Sequence, residues 1–278
     1  MPESEPTCPQ VEPNLGETTG GNGRGAPLLH EDIVLKIAES RDEWAAAFQL
    51  VQKSYERSGL AEANRFGMRI TAYHLLPTTE VFIAQLRDDV ICTVTLVIDG
   101  ELGLPMQSLY AQTINERRSM DLRLAEVSCL ADRRNDPRRF FPLFVALSRL
   151  MVQSARLRGV DQLLVTVHPR HARFYHRYMA FETIGEEKAY PMVKNNPALP
   201  LCLDFARVDR DHPASYDQFF GERLPASATE YRPMSDNDRR YFQTISADLA
   251  ANEPRTKPGL PIEAVPSLVT PANAPMRE

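Results

Sequence analysis

The segment from Leu122 to Val167 constrains the fold more than any other part of the chain. Leu122–Leu130 is a mostly apolar run of strand length. Arg138–Arg158 follows, with Phe140, Phe141, Phe144, Leu147, Leu150, Met151 and Leu157 on one helical face and Gly159 as its stop. Leu163-Leu-Val-Thr-Val167 is then continuously apolar, as a strand covered on both faces must be. Two strands separated by a long helix favour a parallel pair, because a parallel connection needs a crossover. A sheet carrying at least one such pair is an α/β sheet.

The remaining elements read outward from that unit. Ile33–Ala38 is a predicted strand. Ser40 and Glu43 form a capping-box pattern before a helix with Trp44, Phe48, Val51 and Tyr55 on one stripe, stopped by Gly59. A polar stretch, 61–79, leads to two strands, Val81–Leu86 and Val90–Ile98, joined by Arg87-Asp88-Asp89. Leu104–Asp121 is mixed, with one short helix expected. His168-Pro169 breaks the buried strand, His171–Met179 is a short helix, and Phe181–Tyr190 and Leu199–Phe205 are expected strands.

The predicted domain spans 31–205, and 206–250, with Tyr216, Phe219, Phe220, Tyr231, Tyr241 and Phe242, is expected to strap over it. The ends, 1–30 and 251–278, are rich in proline and the first also in glycine. They lack the apolar surface needed to offset ordering and are expected to be disordered tails.

Composition narrows the function classes. A net charge of −5 and a pI of about 5.8 give no global footprint for nucleic acid. The cysteines (Cys8, Cys92, Cys129, Cys202) show no CxxC pairing, and three lie in strand-like runs, so reduced thiols without disulfides or zinc are expected. His168, His171 and His176 have no carboxylate or cysteine to complete a metal set. No basic-then-apolar leader is visible, and no apolar stretch approaches the roughly 18 residues of a membrane span. A cytoplasmic protein with no membrane span is the expectation.

Ala172-Arg-Phe-Tyr-His-Arg-Tyr-Met-Ala-Phe181 resembles the acetyltransferase (GNAT) superfamily pattern A-x-x-F-Y-x-x-x-G-F, with Ala180 where glycine is usual. Other segments resemble the long-chain N-acyl amino acid synthases of the FeeM type and, more distantly, the acyl-homoserine-lactone synthases. They are Arg65-Phe-Gly-Met-Arg-Ile-Thr71, Leu76-Pro-Thr-Thr-Glu-Val-Phe82, Leu124-Ala-Glu-Val-Ser-Cys-Leu-Ala-Asp-Arg-Arg134 and Val167-His-Pro-Arg-His-Ala-Arg-Phe-Tyr175. The resemblance implies a GNAT-like mixed central sheet flanked by helices. It also implies acyl transfer from a thioester to an amine.

Such a reaction needs a base for the amine, a stabiliser for the oxyanion and a proton for the leaving thiolate. Glu126, a carboxylate on an apolar strand, is the candidate base, since desolvation raises its pKa. It also matches the glutamate of the synthases' E-x-S motif, which Ser128 completes. Tyr175 falls where the superfamily often has a thiolate-protonating tyrosine. His168, at the strand exit, is a further catalytic candidate, and His171 shares a helix face with Tyr175. Arg65 and Arg69, with Ser128 and His171, are the expected substrate-binding set, an arginine clamping an acceptor carboxylate. Cys129 is apolar in context with no paired base evident, so direct aminolysis is the simpler mechanism.

The CoA-dependent members carry a glycine turn between the central strand and its helix. Here the junction Asp132-Arg-Arg-Asn-Asp-Pro-Arg-Arg139 has no glycine. Arg133, Arg134, Arg138 and Arg139 cluster at a helix start, where the dipole disfavours cations, so they call for an anionic partner. The expected donor is therefore acyl carrier protein, or else acyl-CoA, as a co-substrate, with no tightly bound cofactor and no metal. The leading function is N-acylation of an amino acid. The alternatives are a CoA-dependent N-acetyltransferase and a non-catalytic acyl- or metabolite-binding module.

Overall fold

A computed structural model describes residues 32–133, 137–221, 223–231 and 233–252, without the side chains of 137–139. The expected tails lie outside the described residues, apart from Ala251 and Asn252, which end the last helix.

β1 (Ile33–Ile37) runs into α1 (Arg41–Arg57). The Ser40 hydroxyl accepts from the Glu43 N–H while the Glu43 carboxylate accepts from the Ser40 N–H, closing the capping box the sequence shows. β2 (Thr79–Leu86) and β3 (Asp89–Ile98) form the predicted hairpin. Leu104–Asp121 holds a longer helix than expected, α2 (Gln107–Ser119), kinked at Tyr110. β4 (Leu124–Asp132), α3 (Pro137–Leu157) and β5 (Gln162–Val167) are the central crossover unit. α4 (Pro169–Met179) then leads to β6 (Glu182–Thr183), β7 (Lys188–Tyr190) and β8 (Asn196–Asp204). The strap contains α5 (Phe205–Asp211) and α6 (Asp236–Asn252).

The sheet order is β1-β2-β3-β4-β5-β8-β6, with β7 also on β8. Every pair is antiparallel except β4–β5, so the long helix does return the chain to a parallel neighbour. One expected strand, Phe181–Tyr190, is instead two short ones. The chain between them presses on its neighbours: a Cβ at Gly185 would stand 3.0 Å from Pro200 Cγ.

α3 lies on one face of the sheet, where Leu143, Leu147, Leu150 and Met151 meet Phe82, Leu96, Ala125 and Leu163. Its Phe140–Leu157 window is long and apolar enough to cross a membrane, which the sequence reading missed, and half of that window is buried in this core. On the other face α1 and α6 cover β2, β3 and the end of β4, and α2 covers the middle of the sheet. The strap is tied in through a buried carboxylate. Glu80 receives Arg158 Nε at 2.6 Å, and Arg158 lies under the Tyr231 ring, whose hydroxyl donates to the Pro77 and Thr79 carbonyls at 2.9 and 3.1 Å. Phe242 of α6 meets Trp44 and Phe48 edge-on.

α4 ends on Ala180 at φ +56°, the left-handed position a helix usually gives to glycine. The superfamily glycine that alanine replaces is thus a cap residue.

Candidate active site

The site is built on β4, at the place where its pairing changes. Leu124–Val127 pair in parallel with Gln162–Val165 of β5, and Ala125–Val127 are also laddered to β3. Pairing with β5 ends at Val127–Val165, while β5 continues beside β8 as far as Val167–Leu199. Just beyond, β4 bulges. Ser128 stands opposite Thr95 and Ala131 opposite Thr93, so Cys129 and Leu130 together face Val94. Cys129 adopts φ +53°, a costly conformation for a residue with a Cβ. Such a bulge bends its strand, and the bend parts β4 from β5 beside Ser128 and Thr166.

Alternate strand residues share a face. Glu126 and Ser128 of β4 therefore stand on the same side as Leu164 and Thr166 of β5, the side covered by α2. Glu126 is 3% exposed, and its Oε2 accepts the Met106 N–H at 2.7 Å. Burial pushes its carboxyl up to about 8, against the pull of that hydrogen bond. Three phenols surround this carboxylate closely enough to feel its charge. Tyr55, Tyr73 and Tyr190 are all pushed up, by burial first and by Glu126 in addition.

Arg69 reaches the same neighbourhood. Its guanidinium lies over the Tyr55 ring at 4.6 Å and donates to the Met192 carbonyl at 2.9 Å, and its charge bears on Tyr55, His74 and Cys129. Arg65 does not join it. Its guanidinium pairs with Asp248 of α6 and covers Phe66. Tyr175 is edge-on to Phe181 and Phe174, and burial pushes its hydroxyl up to about 12. It bears electrostatically on Tyr55.

His168 caps α4: its Nδ1 accepts the Arg170 N–H at 3.2 Å. Arg170 Nε in turn donates to His171 Nε2 at 3.1 Å. Burial, then the Arg170 charge, lowers both imidazoles. The two histidines form their own cluster at the head of α4. Arg133 is exposed, with its N–H on the Ile91 carbonyl and its guanidinium 2.9 Å from Asp89. Arg134, and the side chains of Arg138 and Arg139, lie outside the described residues.

Cys129 proves to have a histidine beside it, His74 Nε2 at 3.7 Å from its sulfur. That imidazole does not serve as a base for the thiol. Its Nδ1 accepts the Thr71 N–H at 3.1 Å, which leaves the ring hydrogen on Nε2, and burial with the Arg69 charge holds its pKa at about 4. Burial also pushes the Cys129 thiol up. Neither partner favours a thiolate.

Of the residues singled out in the sequence, Glu126, Ser128, Arg69 and Tyr175 lie in this region of the fold. Tyr73, Tyr190, Met106 and Thr166, which were not singled out, lie there too. Of these only Thr166 carried a visible signal, as the one polar residue in Leu163–Val167.

A family model described as N-acyl amino acid synthase FeeM matches residues 46–204. The chain belongs to that family. Among solved structures it is similar to FeeM, an N-acyl amino acid synthase from uncultured soil microbes. The two are 27% identical with a TM-score of 0.57, over 66% of this chain and 95% of that one. The acyl-homoserine-lactone synthase LasI shares the fold at 13% identity and a TM-score of 0.51, over 72% of this chain and 98% of that one. BjaI, a CoA-dependent acyl-homoserine-lactone synthase solved with MTA, does so at 15% and 0.50, over 72% and 90%. No curated protein matches the chain. This member of the FeeM family is an acyltransferase with a GNAT-like fold, and the parted β4–β5 region with Glu126 beside it is its candidate active site.

Proposed function

We propose that this acyltransferase joins a long acyl chain, delivered by acyl carrier protein, to the α-amine of an amino acid. The observation that carries this reading is Glu126, a buried carboxyl poised near pH 8 on the strand that parts from its neighbour. A general base works best when its pKa lies near the operating pH. The acceptor nitrogen attacks the thioester carbonyl and gives a proton to Glu126. The C–S bond then breaks, and the sulfur takes a proton from Tyr175. The proton held by Glu126 returns to Tyr175 through water, so the net transfer is one proton from nitrogen to sulfur. Arg69, held on Tyr55, is the cation available to an acceptor carboxylate.

The carrier-protein reading rests on the β4–α3 junction. CoA presents a pyrophosphate that closely approaching backbone amides must hold, and glycine permits that approach. No glycine lies between Asp132 and Arg139, and Pro137, which opens α3, has no amide hydrogen to offer. A carrier protein offers instead one phosphate and an acidic surface, which arginines can meet.

Mass spectrometry of lipid extracts from cells overproducing the protein tests the reading directly. A new N-acyl amino acid is expected, and the absence of any new acylated amine refutes it. Acyl carrier protein and CoA bearing the same chain, assayed at matched concentration, decide the donor. Faster transfer from the carrier protein is expected. Arg138→Ala with Arg139→Ala should cost more at low salt than at high salt, since exposed charges are screened beyond about 8–10 Å. Equal or better use of acyl-CoA, with no salt-dependent defect, overturns the carrier reading.

A further inference from the structure

The hydroxyl of Thr166 is an unexplained polar group beside the parted strands. Its Oγ1 is buried from solvent and has no hydrogen-bond partner among the described residues. A buried hydroxyl left unpaired is a cost to the fold, because it gives up its hydrogen bonds to water and gains none. The cost buys no hydrogen bond among the described residues, and from Leu163 to Val167 the strand is otherwise Leu, Leu, Val and Val, so an apolar side chain would suit the position as well.

The position is specific. Thr166 follows Val165, the last residue of β5 paired with β4, so it is the first residue beside the parted strands. It shares a face with Leu164, whose partner across the parallel pair is Glu126. On its other side it faces Pro200 of β8, near Gly185 and Tyr110. Ser128, the first β4 residue past the pairing, stands across the gap on the same face.

We infer that the Thr166 hydroxyl is a hydrogen-bond donor to the thioester carbonyl oxygen, and that its missing partner is the substrate. This rests on the acyl-transfer reading above and adds to it the group that meets the developing negative charge. When the amine nitrogen bonds to the carbonyl carbon, the C=O π pair moves onto oxygen, and an O–H aimed there stabilises the oxyanion. No proton leaves the threonine. When the C–S bond breaks, the pair returns from oxygen and the hydroxyl reverts to its ground-state contact. Glu126 then handles the nitrogen and Thr166 the oxygen, from neighbouring strands on one face.

The inference predicts opposite signs for stability and activity. Thr166→Val removes an unpaired buried hydroxyl at nearly constant shape. It should leave the melting temperature unchanged or raise it. It should lower kcat roughly 10²-fold, the scale for one oxyanion donor, with little change in acceptor KM. Thr166→Ser restores the hydroxyl and should recover most of the rate. The assay uses the full chain with acyl carrier protein or acyl-CoA bearing the same acyl chain, whichever the wild type uses. A wild type that transfers no acyl group from either donor defeats the acyl-transfer reading itself. An active wild type with an equally active Thr166→Val variant overturns this inference alone. A Thr166→Val variant that loses stability and activity together also overturns it, because the hydroxyl then serves the fold.

Discussion

The two halves of β4 differ more than their sequences suggest. Ala125–Val127 has a strand on each side, and Glu126 within it is sealed under Met106. Ser128–Asp132 keeps β3 but not β5, and carries a bulge with a residue at positive φ. The first half supplies a desolvated, basic carboxylate. In the proposed mechanism the second supplies the opening through which a substrate meets it. That mechanism depends on placing complete pairing and lost pairing one residue apart.

The strongest way to break that arrangement is to remove the bulge. Deleting Cys129 leaves Ser128 opposite Thr95 and Ala131 opposite Thr93, with Leu130 alone against Val94, a regular ladder. Acyl transfer should fall by more than 10²-fold, as misplacements of about 1 Å can cost that much. Circular dichroism should show the secondary structure retained. Wild-type rates in the deletion variant would mean that the bulge does not shape the site.

Glu126→Gln tests the first half alone. A drop in kcat/KM of roughly 10²-fold is expected, with the fold intact, because the amide oxygen can still accept from Met106. In the wild type, kcat/KM should climb as pH rises toward about 8, where Glu126 ionises, and the variant should lack that inflection. Stability runs the other way. A carboxyl whose folded pKa lies above its unfolded value of about 4.5 leaves the unfolded state to ionise first, so the native state weakens between about pH 4.5 and 8. Denaturant melts of Glu126→Gln should therefore gain on wild type across that window. A constant difference would show that the carboxyl is not buried as described.

Arg69→Ala should raise the KM for the amino acid far more than it lowers kcat, the mark of lost uniform binding. Arg65→Ala should leave both nearly unchanged, since Arg65 is held by α6. If the two variants behave alike, the acceptor clamp lies elsewhere. The smallest expected effect is structural. Ala180→Gly relieves a left-handed residue and should stabilise the protein by about 1 kcal/mol in denaturant melts, with activity unchanged.

The order of elements and the parallel pair were legible because they rest on local signals: the Ser40–Glu43 cap, the apolar face of α3 and the Leu163–Val167 run. Glu126 was legible because a carboxylate in an apolar strand is conspicuous. The bulge was not, since Ser-Cys-Leu contains no glycine or proline to mark it and the left-handed turn at Cys129 is imposed by the sheet. Tyr190 was hidden in a segment that reads as one strand and is divided by a close approach at Gly185. Arg65 and Arg69 look equivalent in sequence. The turn between them, with Gly67 at φ +58°, sends one to α6 and the other to Tyr55.

The contact of Phe242 with Trp44 and Phe48 also bears on the order in which the protein forms. The apolar stripe of α1 is made early in synthesis, but the ring that covers it arrives almost two hundred residues later, as does Asp238, the partner of Arg41. A nascent chain emerging from the ribosome therefore holds α1 with an uncovered flank until α6 is released. Closing so distant a contact is slow, and the exposed flank is sticky while it waits. Docking α6 closes that flank, so the contact of its Phe242 ring with Trp44 and Phe48 completes a surface begun about two hundred residues earlier.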